Sequence, residues 1–97
     1  MENDIYYNSL YDLYGVLLTE KQRQYFEEYY FHNLSFAEMA ENNDVSRNAA
    51  FKQVHNVLVK LDEYEEKLGL FEKKKTIEEI ISKIDDFSIK EQLENLF

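Results

Sequence analysis

With 97 residues, no cysteine, no proline and two glycines, the chain has room for one domain and little to interrupt helices. The missing thiols exclude disulfides, thiolate metal sites and a cysteine nucleophile. A formal net charge of −9 counts against a free-standing DNA-binding domain, whose affinity comes largely from neutralised phosphates.

Taken in order, Met1 to Asn3 read as a loose end. Over residues 4–18 the apolar positions Tyr7, Leu10, Tyr11, Leu13, Tyr14, Leu17 and Leu18 form a helical stripe. Gly15 falls within that stripe, and its expected use is close approach by a neighbouring helix. Thr19-x-x-Gln22 is a capping box opening a second helix, which His32-Asn33 end. Tyr25, Phe26, Tyr29 and Tyr30 give it one broad aromatic face. Such rings can stack on single-stranded nucleic acid, but stacking platforms are interleaved with Lys and Arg. Only Lys21 and Arg23 are near, so the rings are read as core with hydroxyls reaching the rim.

Residues 34–61 carry the organising motif. Ser35-x-x-Glu38 is a second capping box, and Phe36, Met39 and Ala40 form the apolar face of a short helix. Ala40 is expected where two helices cross closely. Asn42-Asn43-Asp44 breaks the pattern, because these side chains bond their own backbone and tolerate positive φ. Val45 then reads as an apolar plug, Ser46 as a cap and Arg47 as the start of a longer helix. A short helix, an Asn-rich turn and a helix opening Val-Ser-Arg make a helix-turn-helix.

In that longer helix, Ala50, Val54, Val57, Leu61, Tyr64 and Leu68 follow heptad a/d spacing, continued by Phe71. Residues 46–68 span roughly 34 Å as a helix, and a helix-turn-helix core should bury only the first half. The remaining seam, Leu61, Tyr64, Leu68 and Phe71, needs a second copy of the chain or the helices that follow. A homodimer is the expectation. Gly69 is the natural helix stop. Two more capping boxes, Thr76-x-x-Glu79 and Ser88-x-x-Glu91, are expected to start two short C-terminal helices, with Lys73-Lys74-Lys75 as a solvated linker between elements. No internal repeat or long linker divides the chain. The organisation expected is one all-α domain over 1–97, with a helix-turn-helix core at 4–71 and a helical extension at 72–97.

No catalytic set emerges. His32 and His55 lie far apart with no ligand spacing, and Asp62, Glu63, Glu65 and Glu66 wrap around one helix instead of converging on a cation. No metal or cofactor is expected, and the chain reads as a binding module, not an enzyme. No apolar run approaches the roughly 18 residues of a membrane span, and no charged-then-apolar leader opens the chain, so a cytoplasmic protein without membrane insertion is expected. On a helix-turn-helix, bases are read from the first turns of the second helix. The outward candidates for nucleic-acid contact are Arg47, Asn48, Lys52, Gln53, His55 and Asn56. Arg and Lys match guanine acceptors or phosphate, and Asn and Gln can pair with adenine. Acids outnumber bases in every third of the chain, yet none occurs from Val45 to Leu61, where Arg47, Lys52 and Lys60 form a small positive island.

The blocks LYDLYGVLLTEKQRQYFEEYY, LSFAEMAENNDVSRNAAF and LDEYEEKLGLF resemble the YlxM family, small bacterial helix-turn-helix proteins encoded beside signal recognition particle genes. The chain departs from the family's usual Val-Tyr with Ala50-Phe51, and has Asn56 where a base is common. The resemblance implies a fold like the promoter-reading region of bacterial sigma factors, self-association, and a regulatory role in the signal recognition particle pathway. The expected function is therefore an accessory protein that binds the particle's GTPase or its RNA. The alternative is a transcription regulator that binds specific DNA.

Overall fold

The computed structural model describes residues 3–96, so the loose end expected at Met1 and Glu2 lies outside the described residues. Among the described residues six α-helices follow one another: α1 (Asp4–Tyr14), α2 (Glu20–Tyr30), α3 (Phe36–Asn43), α4 (Arg47–Leu68), α5 (Leu70–Ile81) and α6 (Phe87–Glu94). A 3₁₀ turn, Gly15–Leu17, leads out of α1. The fold is all-α, built around the helix-turn-helix α3–α4.

Local chemistry sets most of the boundaries. Thr19 and Ser35 both form complete capping boxes, their hydroxyls accepting from the Gln22 and Glu38 amides while those side chains return to the cap amides. The hydrogen bonds from Ser35 hold the Glu38 carboxyl below its usual pKa. Asp44, at φ 52°, ends α3 in the left-handed region, and the Val45 amide donates back to the Ala40 carbonyl, closing a Schellman motif. Asn42 and Asn43 are still helical, so the break falls only at Asp44, the last residue of the Asn-rich stretch. Ser46 caps α4 through the Ala49 amide at 3.0 Å. Gly69 stops α4 at φ 62° and α5 begins at once.

Two buried clusters hold these helices. The first joins Leu10, Tyr14 and Leu18 to Phe26 of α2 and to Val57, Leu58 and Leu61 of α4. The second joins Tyr25 of α2, Met39 of α3, and Ala50 and Val54 of α4, and it sets the helix-turn-helix crossing. Met39 carries the buried contact from α3, with Ala40 half-buried beside it. Val45 is 38% exposed and lies at the rim of the Schellman turn, outside both buried clusters. Aromatic packing runs through the interior: Tyr11 stacks on Phe26 at 4.1 Å, and Phe26 on Tyr30 at 4.6 Å. Of the α2 rings, Tyr25 and Phe26 are core as expected, while Tyr29 and Tyr30 are half-buried beside them and the Tyr30 hydroxyl is buried instead of reaching the rim. Gly15 serves this core differently from the expectation. An added Cβ would lie 3.2 Å from the ring of Tyr11, a residue of the preceding turn and not of a neighbouring helix.

The C-terminal part differs most from expectation. Thr76 starts nothing: it lies inside α5, and its hydroxyl donates to the Glu72 carbonyl at 3.1 Å. Lys73, Lys74 and Lys75 are helical, not linker. α6 is capped by Asp86, whose carboxylate accepts from the Ile89 amide, and Ser88 sits within the first turn. α5 packs on α1 and α6 on α5. The result is an elongated molecule, 54 × 25 × 22 Å with a radius of gyration of 16.8 Å, where a compact chain of this length would show about 12–13 Å. Ile80, Phe87, Ile89 and Leu96 remain exposed along the C-terminal helices.

Candidate nucleic-acid interface and interaction seam

α4 is positioned by what its inner face buries. Ala50, Val54 and Val57 are fully buried against α1, α2 and α3, so the opposite face must look outward. Arg47, Asn48, Lys52, Gln53, His55 and Asn56 are all exposed. Among the described residues, no hydrogen bond fastens these six side chains to the rest of the protein. They are free to meet a partner. Lys60, the third cation of the island, lies over the Tyr64 ring at 5.6 Å, drawn towards the far end of the helix.

The same face carries an aromatic residue absent from the predicted set. Phe51 is 43% exposed, its ring nearly parallel to His55 (8°, centroids 6.2 Å) and edge-on to Phe36 at 5.4 Å. Its spacing was the available signal: four residues after Arg47 and four before His55, it falls on the outward stripe.

Charge around the interface is uneven. α3 and the turn carry exposed Glu38, Glu41 and Asp44, and no base lies between Asn33 and Ser46. In a helix-turn-helix docked on DNA, the first helix crosses the phosphate backbone. Here that helix would bring acids to phosphates.

One asparagine anchors the end of α3 to α2. Asn43 donates to the Glu28 carboxylate at 3.0 Å and to the Met39 carbonyl at 2.8 Å, while its Oδ1 accepts from Lys21 at 2.8 Å and Gln24 at 3.0 Å. Glu28 is buried, and this contact ties α2 to the end of α3. The sequence marked Asn43 only as a helix breaker.

The predicted seam is mostly occupied by the chain itself. Leu61 is fully buried in the first core cluster. Tyr64 is half-buried beside Tyr14, its hydroxyl donating to the Leu17 carbonyl at 3.4 Å. Phe71 is half-buried and meets Tyr6 edge-on at 5.2 Å. Only Leu68 of the four lies open, at 45% exposure. The first helix, α1, covers the second half of α4, and Leu70 and Phe71 of α5 pack against the same cluster. Cover by α1 was not foreseen from the sequence, which looked to a second copy or to the following helices.

Hydroxyl–carboxylate bonds fasten that contact. Tyr7 donates to Asp62 at 2.9 Å and Tyr14 to Glu65 at 2.6 Å; on α2, Glu27 accepts from Tyr11 at 2.9 Å. Burial first, then these hydrogen bonds, push Tyr7 and Tyr11 up to about 12 and raise Tyr14. Glu65 also accepts from the Phe71 amide at 3.0 Å, and the Tyr14 hydroxyl accepts from the Leu70 amide at 3.0 Å, so the two together cap α5. Asp62 and Glu65, two of the acids that wrap around α4, are therefore working acceptors. Among the described residues, no group of three or more His, Cys, Asp or Glu side chains converges as a metal site.

Residues 1–96 match the family pattern UPF0122, described as "Putative helix-turn-helix protein, YlxM / p13 like". The chain belongs to the UPF0122 family. It is 40% identical to the UPF0122 protein of Geobacillus kaustophilus over 87 residues, 90% of this chain and 79% of that relative. A Clostridium kluyveri UPF0122 protein is 46% identical over 87 residues, 90% of this chain and 78% of its own. One from Shouchella clausii is 43% identical over 77 residues, covering 79% and 71%. The UPF0122 description agrees with the helix-turn-helix seen here. No helix among the described residues is long and apolar enough to cross a membrane.

Proposed function

We propose that this UPF0122 protein is a non-enzymatic, cytoplasmic accessory protein of the signal recognition particle pathway, binding the particle's GTPase or RNA through the outward face of α4. The observation that carries the reading is that face: six exposed polar side chains, no acid from Val45 to Leu61, on an otherwise acidic body. An acidic body can also steer the protein towards basic partners. Self-association belongs to the same proposal. Its surface is Leu68, which the chain leaves open, and not the full heptad seam. The test is a pull-down with purified particle GTPase and RNA. Recovery of either supports the proposal, and recovery of neither rejects it.

The second reading is a DNA-binding transcription regulator, which the helix-turn-helix crossing favours. It asks two free cations, Arg47 and Lys52, to outweigh Glu38, Glu41 and Asp44 beside them. Selection from randomised DNA duplexes at low salt decides it: an enriched site supports it, and no enrichment rejects it.

A further inference from the structure

Phe51 is the exposed aromatic residue of the α4 face. Its ring is 43% exposed amid mostly polar side chains, with Val59 exposed two turns further on. Its position is braced: Tyr29 stacks on Phe36 at 5.1 Å, Phe36 meets Phe51 edge-on at 5.4 Å, and Phe51 lies nearly parallel to His55. A row of rings therefore starts between α2 and α3 and ends in solvent as the Phe51–His55 pair. Rings held this way lose little conformational freedom when a ligand covers them.

The surroundings say what that ligand is. Arg47 stands one turn before Phe51, Lys52 beside it, and Asn48 and Asn56 flank the pair, all exposed. Two cations and several amides fit a phosphate backbone with polar base edges. A double helix hides its base faces, and on its edges a phenyl ring finds only the thymine methyl of DNA, which an RNA duplex lacks. An unpaired base offers the face that an aromatic ring stacks on. Groove docking would also bring Glu38, Glu41 and Asp44 towards phosphates, whereas a single strand can run along α4 without crossing α3.

We propose that this face binds RNA through unpaired bases stacked on Phe51 and His55, with Arg47 and Lys52 on the adjoining phosphates. The inference rests on the reading of α4 as the partner surface of an accessory protein, and it names RNA loops as that partner. Sequence-specific RNA recognition favours such open segments over the deep, narrow groove of A-form duplex.

Fluorescence anisotropy with three labelled probes tests it: an RNA hairpin with an open loop, the fully paired RNA duplex, and a DNA duplex of the same sequence. The open loop should bind best. Phe51→Ala should weaken loop binding by about tenfold or more, as expected for losing one stacked base. His55→Ala should weaken it less, and Phe51→Tyr should retain it. Because Phe51 touches Phe36, melting curves accompany each variant; if Phe51→Ala fails to fold, His55→Ala and Phe51→Tyr carry the test. Equal affinity for loop and duplex overturns the proposal, as do unchanged affinities in folded Phe51→Ala and His55→Ala. No RNA binding alongside recovery of the GTPase overturns it and leaves the accessory role standing. Recovery of neither partner overturns both.

Discussion

Along a single helix, residues 47–60 and 61–68 of α4 meet the rest of the chain in different ways. The first stretch buries Ala50, Val54, Val57 and Leu58 on its inner side, while Arg47, Asn48, Lys52, Gln53, His55 and Asn56 extend unbonded into solvent. In the second, even exposed Asp62 is engaged: it accepts from Tyr7, Glu65 from Tyr14, and Tyr64 donates to Leu17. Polar groups that fold the molecule have partners, and polar groups available to a ligand do not. Composition divides at the same place: the free end carries bases, amides and a histidine, and the other end carries carboxylates, two of them held by tyrosines.

Substitutions can break the comparison, and the largest effects should come from the fastened half. Leu61→Ala removes a fully buried side chain from the first core cluster and should cost about 2–5 kcal/mol by denaturant unfolding. A cost near zero would mean that α1 does not cover α4 as described. Asn43→Ala strips the buried Glu28 carboxylate of its amide donor and should cost about 1–3 kcal/mol. Tyr14→Phe deletes the hydroxyl shared by Glu65 and the Leu70 amide and should cost about 1–2 kcal/mol. Its signature is faster hydrogen exchange at Leu70 and Phe71, confined to the elbow between α4 and α5.

Alkaline titration sharpens the same contrast. A tyrosine whose folded pKa lies above its ordinary value of about 10 binds its proton more tightly in the folded state. The stability it contributes is fully present below pH 10 and is lost as pH rises through the folded value. Tyr7 and Tyr11, pushed up to about 12, place that loss between pH 10 and 12. Unfolding followed by circular dichroism should begin in that window, with tyrosinate absorbance appearing alongside it. Tyr7→Phe should shift the onset to higher pH.

The smallest effects on stability belong to the free half. Arg47→Ala and Lys52→Ala should each change stability by no more than about 0.5 kcal/mol, as expected of exposed side chains without partners. Each should nevertheless weaken nucleic-acid binding and lower the salt slope by about one phosphate contact.

What the sequence made legible follows the range of the interactions. Thr19 and Ser35 caps, the Gly69 stop and the inward spacing of Ala50, Val54 and Val57 are set within a turn or two, and each appears in the structure as read. The outward exposure of Arg47 through Asn56 follows from that spacing by geometry. Thr76 misled because Thr-x-x-Glu also fits a helix interior, where the hydroxyl bonds back four residues; nothing nearby breaks the helix that Gly69 begins. Ser88 misled because Asp86, two residues earlier, is an equally good cap. Glu65, Asp62 and Tyr14 were opaque for another reason. Their partners lie more than 50 residues away in sequence, and only the packing of α1 across α4 brings them together. Phe51 was visible on the outward stripe, but its bracing by Phe36 depends on how α3 crosses α4.

The most direct test of the central claim is the pull-down of particle GTPase and RNA by the wild-type chain, the Arg47→Ala/Lys52→Ala double variant and Leu68→Ala. The account predicts that the wild type and Leu68→Ala recover a partner, and that the double variant loses it with an unchanged melting temperature. Retention of the partner by the folded double variant would contradict it.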